Sequence, residues 1–206
     1  MTDYRRVVIR GSRFVVVRAL ADAGIPFAFG HEAGPNTVGL VGGQHIPAGS
    51  KVLDFGCAKG YLVKALRMLG RDAWGCDISR YAVSQAPPDV ADFVRCGSLP
   101  VSSRFEWALC KDVLEHVPEE DLLATLGILR HVSWRLWAAI PLGIDGKYVI
   151  PAYEKDVTHR IRQPIGWWCN RLAEAGFEIV SARYSMPGVK ENWNDWPGGN
   201  GFFVCS

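Results

Sequence analysis

The residues best placed to do chemistry lie between Lys51 and Asp77. An apolar pair, Val52-Leu53, runs into Asp54, and the turn Gly56-Cys57-Ala58-Lys59-Gly60 follows at once. Apolar residues from Tyr61 to Leu69 then recur at helical spacing and stop at Gly70. A strand, a glycine-spaced turn and a helix start make a nucleotide-sized cradle. The glycines admit a ligand close to the backbone, and the first N–H groups of the helix point at it. The next apolar run, Ala73-Trp74-Gly75-Cys76, ends in Asp77, 23 residues after Asp54. There the second strand of a βαβ unit sets a carboxylate beside a ribose. Ala58 takes the middle position of the turn, so the G-x-G-x-x-G dinucleotide fingerprint is not met. A further candidate is His116, an imidazole being the side chain best suited to general-base work. The alternative for His116 is a ring packed against the next helix with its N–H satisfied.

The elements that must hold these residues alternate along the chain. Strand 51–55 leads to helix 60–69 and strand 73–77. Ser79 caps a helix reaching Gln85, which Pro87-Pro88 ends. Val90–Cys96 reads as a third strand and Glu106–Cys110 as a fourth. Pro118 opens a helix with acids in its first turn and Leu122, Leu123, Leu126, Leu129 and Val132 at helical spacing. Arg135–Leu142 is a fifth strand, followed by a long loop to Pro164, a helix over 165–175, and strands Phe177–Tyr184 and Gly201–Cys205. The pattern predicts a three-layer, doubly wound α/β fold with a mainly parallel, seven-stranded sheet. No helical pattern separates the last two strands, so they pair as a hairpin with one antiparallel strand near the edge. The expectation is a single domain over 1–206. Residues 1–50 carry a helix over 12–23 and a Gly/Pro-rich loop or lid, and 51–206 form the core.

The Asp54–Gly60 stretch resembles motif I of the class I S-adenosylmethionine (SAM) dependent methyltransferases, usually D/E-x-G-x-G-x-G. Asp54, Gly56 and Gly60 match, and Ala58 departs. The resemblance covers roughly residues 50–206 and implies SAM as cofactor and S-adenosylhomocysteine as product. It places SAM against Asp54, Gly56, Cys57, Ala58, Gly60 and Tyr61. Asp77 would accept the ribose hydroxyls, and Ile78 would pack on the adenine. Ser98 and Leu99, after the third strand, would meet the adenine edge; otherwise they form a surface turn. Lys111-Asp112-Val113-Leu114-Glu115-His116-Val117 is similar to a V-L-E-H-V segment of small-molecule methyltransferases, with Lys111 and Asp112 under the methionine part of SAM. Asp156-Val157-Thr158-His159 is similar to a D-x-T-H segment that faces the transferred methyl. His159 is then a general base, with Asp156 beside it, or else a structural tie between loop and helix.

Bulk composition narrows the partners. The chain has 206 residues, 49% hydrophobic and 21% charged, with a net charge of +2. That charge does not argue for nucleic acid, and no apolar run approaches the roughly 20 residues of a membrane span. Five arginines in the first 18 residues form a solvated helix face or a patch for a phosphate-bearing substrate. Six cysteines stand singly, without a C-x-x-C pair. They point to a reducing, cytoplasmic compartment with no disulfide and no metal site. Trp193-Asn-Asp-Trp-Pro-Gly-Gly sets two large rings in a polar loop, to stack on a substrate, cap the sheet edge or contact a subunit. The expected function is methyl transfer from SAM to an O or N atom of a small-molecule acceptor. The competing readings are a nucleic-acid or protein methyltransferase, and a NAD(P)-binding or non-catalytic Rossmann-like protein.

Overall fold

The computed structural model describes residues 46–97, 104–187, 189–190 and 193–206. The helix expected over 12–23, most of the 24–50 segment, and Ser98 and Leu99 lie outside the described residues. The described residues group into two compact units.

The first unit holds β1 (Lys51–Phe55), α1 (Tyr61–Met68), β2 (Asp72–Asp77), α2 (Arg80–Ser84) and β3 (Val94–Cys96). β2 pairs in parallel with β1 and with β3, and Asp54 lies opposite Gly75. α1 buries Val63 and Leu66, which lie three residues apart on one face, together with Ala65. Ser79 caps α2 as expected, its side chain accepting from the Ala82 N–H at 3.1 Å. The strand expected over Val90–Cys96 is shorter. Ala91–Phe93 is a 3₁₀ turn, closed by Phe93 N–H to the Val90 carbonyl at 2.9 Å. This turn sets the Phe93 ring edge-on to Trp74, 5.3 Å between centroids. The strand begins only at Val94.

The second unit holds β4 (Phe105–Lys111), α3 (Glu119–Val132), β5 (Ser133–Pro141), β6 (Gly143–Ile144), β7 (Lys147–Tyr148), α4 (Ile165–Glu174), β8 (Ile179–Arg183) and β9 (Asn200–Cys205). β5 lies parallel to β4, and β9 runs antiparallel to both β5 and β8. The seven main strands follow the order β3-β2-β1-β4-β5-β9-β8, with β9 the reversed strand next to the edge. Leu136–Pro141 of β5 are all buried, as suits an inner strand covered on both faces. α3 buries Leu122, Leu126, Leu129 and Val132. Trp168 and Leu172, one turn apart on α4, are both fully buried core residues.

The stretch after β5 is not the long loop the sequence suggested. β6 and β7 form a hairpin around Asp145-Gly146, both at positive φ (52° and 75°), the geometry an Asp-Gly pair favours in a two-residue turn. A 3₁₀ turn over Pro151–Lys155 follows. Gly143 permits the hairpin to dock, because a Cβ there would stand 2.6 Å from the Arg162 backbone. Among the described residues, no helix is long and apolar enough to cross a membrane.

Candidate functional site

In the first unit the turn after β1 is shaped by backbone bonds to β2. Gly56 and Cys57 N–H groups donate to the Cys76 carbonyl at 2.8 and 3.1 Å, and Gly60 N–H donates to the Cys57 carbonyl. Gly60 then starts α1 in the left-handed region (φ +77°), and no described side chain caps the helix. Its first N–H groups are therefore left for a ligand or solvent. A Cβ on Gly60 would lie 2.6 Å from Val94 Cγ2, so this helix start packs directly on β3. Ala58 adopts φ +46°, the conformation the family pattern gives to glycine. What holds it is Asp77, whose Oδ2 accepts the Ala58 N–H at 2.8 Å. Asp77 Oδ1 accepts Ser79 N–H, also at 2.8 Å. Each oxygen keeps a lone pair for a further donor such as a hydroxyl. Next to it, the apolar Ile78 is 94% exposed. A carboxylate with spare acceptor sites, an exposed apolar side chain beside it and an uncapped helix start suit a nucleoside bearing a charged tail. Asp54 and Cys57 are buried at the base of the turn, while Tyr61 is half-buried at the start of α1. Burial first, then the charge of Asp54, raises the thiols of Cys57 and Cys76, that of Cys76 to about 12. Both are packing groups rather than nucleophiles.

In the second unit the end of β4 turns sharply. Asp112 has φ +55°, and its N–H still donates to the Ala139 carbonyl of β5 at 2.9 Å. Lys111 Nζ donates to Asp112 Oδ2 at 2.8 Å, and Lys190 Nζ donates to Oδ1. Burial works to raise the Asp112 carboxyl, but Lys190 and Lys111 outweigh it and hold the group well below the ordinary carboxylate range. Lys190 also donates to the Tyr153 hydroxyl at 3.0 Å and to Asn200 Oδ1 at 2.9 Å, and Tyr153 donates to the same Asn200 oxygen. Burial, followed by the charge of Asp112, pushes the Tyr153 phenol upward, so it stays a hydroxyl donor.

Beyond Asp112 a 3₁₀ turn, Leu114–His116, rotates Glu115 inward. Glu115 is fully buried, and neither carboxylate oxygen accepts a hydrogen bond from a described residue. Burial, then the negative charge of Asp112, pushes it up to about 8. His159 Nδ1 donates to the Tyr153 carbonyl at 3.0 Å, and His116 Nδ1 lies 2.9 Å from Thr158 Oγ1. The Nε2 atoms of both rings lie 3.9 Å from Glu115 Oε1. Burial, with His116 second, lowers the His159 pKa, which favours the neutral ring. Asp156 Oδ2 lies 3.7 Å from His159 Nε2. Hydrogen bonds from Thr158 hold the Asp156 carboxyl below its usual value. Tyr148 and Tyr153 pack edge-on to His159, and Trp193 stacks at a tilt on Tyr153, 5.5 Å between centroids. Trp196, in the same loop, is 42% exposed.

Three expected residues, His116, Asp156 and His159, thus meet in space, with Nδ1 of each ring serving structure and Nε2 left for chemistry. Lys111 and Asp112 pair with each other at the end of β4. Sequence reasoning passed over Glu115, Tyr153, Lys190 and Asn200. Glu115 lay in view inside the V-L-E-H-V segment, but only the 3₁₀ turn shows that it points inward. Nothing local marks Lys190, which reaches Asp112 from far along the chain.

Residues 31–133, which are 103 of the 206, match the family model described as a methyltransferase domain. The chain belongs to this methyltransferase-domain family. It is 32% identical over 103 residues to the ubiquinone biosynthesis O-methyltransferase of Pseudomonas syringae pv. tomato, covering 50% of this chain and 42% of that protein. The chain spans less than half the length of the curated relatives it matches. Its fold is shared with a TehB-like SAM-dependent methyltransferase from Corynebacterium glutamicum (TM-score 0.59, 18% identity, 92% of each chain). It is shared too with a magnesium protoporphyrin IX methyltransferase from Synechocystis PCC 6803 carrying S-adenosylhomocysteine (TM-score 0.58, 18% identity, 98% of this chain and 91% of that one).

Proposed function

We propose that this enzyme transfers the methyl group of SAM to an oxygen or nitrogen of a small-molecule acceptor, with an aromatic hydroxyl as the favoured target. The observation that carries the reading is the meeting of His116, His159, Glu115 and Asp156 after β4, walled by Tyr148, Tyr153 and Trp193. A hydroxyl must lose its proton as it attacks, and the two imidazole Nε2 atoms are the acceptors for it. The aromatic rings supply flat, apolar walls for a ring-bearing acceptor. The O-methyltransferase name of the curated relatives supports oxygen as the target.

The sulfonium of SAM supplies an activated methyl and leaves as a neutral thioether. The protein's work is to bind, orient and exclude water. Asp77, Ile78 and the Gly56–Gly60 turn hold the adenosine end of the cofactor. Lys111 and Asp112 form a fixed charge pair at the end of β4. His159, oriented by the Tyr153 carbonyl, receives the acceptor's proton, with Asp156 stabilising the resulting imidazolium. The whole chain acts as one catalytic domain. The free thiols of Cys57, Cys76, Cys96, Cys169 and Cys205 support placement in the reducing cytoplasm.

The test is a methylation assay with isotope-labelled SAM against phenols, catechols, amines, RNA and protein. Label in a phenol or catechol, with little dependence on salt, supports the reading. Label in RNA with affinity falling steeply as salt rises would replace it with a nucleic-acid methyltransferase.

A further inference from the structure

We propose that Glu115, His116 and His159 form a binding site for a divalent first-row transition cation. One donor atom from each lies within 4.8 Å of the other two. The two imidazole centroids stand 4.7 Å apart with planes tilted by 57°, so the rings converge instead of stacking.

The hydrogen bonds around the rings set which nitrogen is free. A carbonyl only accepts, so His159 Nδ1 carries the proton that binds Tyr153 O, and Nε2 holds a lone pair. Thr158 Oγ1 spends its proton on Asp156 Oδ1 at 2.6 Å. It therefore accepts from His116 Nδ1, and His116 Nε2 also holds a lone pair. A histidine whose Nδ1–H is fixed by a carbonyl, or by a hydroxyl relayed to a carboxylate, is the usual outer shell of a metal ligand.

The two Nε2 lone pairs, Oε1 of the fully buried Glu115 carboxylate and Asp156 Oδ2 therefore gather in one place. No described residue donates a hydrogen bond to the Glu115 carboxylate. Lone pairs gathered in this way repel unless a positive centre sits among them. Either protons or a metal ion can fill that role, and an ion answers all three ligands at once. Bonds of about 2.1 Å in tetrahedral geometry set donors roughly 3.4 Å apart. The 3.9 Å separations to Glu115 would close by about 0.5 Å on binding, a distance side-chain torsions supply. Two imidazoles with one carboxylate favour zinc, cobalt, iron or manganese over magnesium or calcium, which prefer all-oxygen sites. Three protein ligands leave a position open, where an acceptor hydroxyl would bind and lose its proton more readily, to the Asp156 carboxylate in place of the two Nε2 atoms that the ion then occupies. That use rests on the proposed function; the site itself does not. The sequence expectation of no metal came from isolated cysteines and is silent about this trio.

The test uses the full chain stripped with a chelator and titrated with Co²⁺, followed by its visible absorption and by calorimetry. SAM is titrated into the same samples. The expected result is saturable binding of a single equivalent of Co²⁺, displaced by Zn²⁺ and not by equimolar Mg²⁺. His159→Ala and Glu115→Gln should abolish the signal. Thr158→Val, which removes only the outer-shell partner, should weaken binding about 10-fold or more with SAM affinity kept. Wild-type protein that binds SAM but shows no Co²⁺ signal, or Co²⁺ binding unchanged in His159→Ala and Thr158→Val, would overturn the site and leave the methyltransferase reading intact. Co²⁺ bound as expected, with no acceptor methylated, would count against the acceptor reading and not the site.

Discussion

Replacing Gly60 by alanine should break the cradle, and the size of the effect can be worked from two separate costs. The first is conformational: at φ +77° an alanine pays about 1–2 kcal/mol for the left-handed region. The second is steric. The new Cβ would stand 2.6 Å from Val94 Cγ2, and Val94 is 2% exposed with Val90 beside it, so it has little room to retreat. Overpacking of this kind costs about 1–3 kcal/mol. Together the loss is about 2–5 kcal/mol, a fall of roughly 1–2.5 M in the urea midpoint for an m-value of about 2 kcal/mol/M. Gly49→Ala is the internal control, since Gly49 has φ +82° and no described residue within 4 Å of its would-be Cβ. It should show the conformational cost alone. Adding Val94→Ala to Gly60→Ala should recover part of the steric cost, giving a favourable coupling of about 1–3 kcal/mol in a double-mutant cycle. The assay is urea unfolding of the four variants with SAM titration of each. Equal destabilisation by Gly60→Ala and Gly49→Ala, with zero coupling to Val94, would refute the claim that α1 starts in contact with β3.

Asp77→Ala should weaken SAM by about 1–3 kcal/mol through lost charge-assisted hydrogen bonds, and unchanged affinity by calorimetry would remove Asp77 from the site. His159→Ala should lower turnover about 100-fold or more with SAM affinity little changed, and wild-type turnover would reduce it to a loop tie. The folded-state pKa of Asp112 is depressed, so its contribution is fully present above the unfolded value near 3.9 and is lost as pH falls through the folded one. Melting temperature should therefore drop below about pH 4 more steeply in wild type than in Asp112→Asn, and identical profiles would refute the Lys190–Asp112 pairing. Iodoacetamide at about pH 8 should label exposed Cys96 in the native protein, with buried Cys57 and Cys76 labelled only after unfolding. Native labelling of Cys57, read by mass spectrometry, would contradict its place at the base of the turn.

The β1–turn–α1–β2 unit was legible because its signals are local: an apolar run, glycines at the turn, a helical stripe and a closing acid. The same holds for Ser79 as a cap and for the reversal of β9, marked by the lack of a helix before it. The β6–β7 hairpin carried an equally local Asp-Gly signal and was passed over within a stretch read as loop. The third strand came out short because Val90 and Phe93 close a turn through backbone bonds that apolar pattern does not register. Motif spacing pointed to the cofactor, since a carboxylate at the end of β2 follows from chain geometry.

The acid and imidazole cluster is of another kind. Glu115 and His116 are joined to His159 across the whole of α3, β5 and the hairpin, so no spacing rule relates them. Asp112 meets Lys190 from still further along the chain. Local propensity settles where strands and helices begin. Which way Glu115 turns, which histidine nitrogen stays free, and which lysine neutralises Asp112 depend on contacts between distant segments, and those exist only once the sheet has assembled.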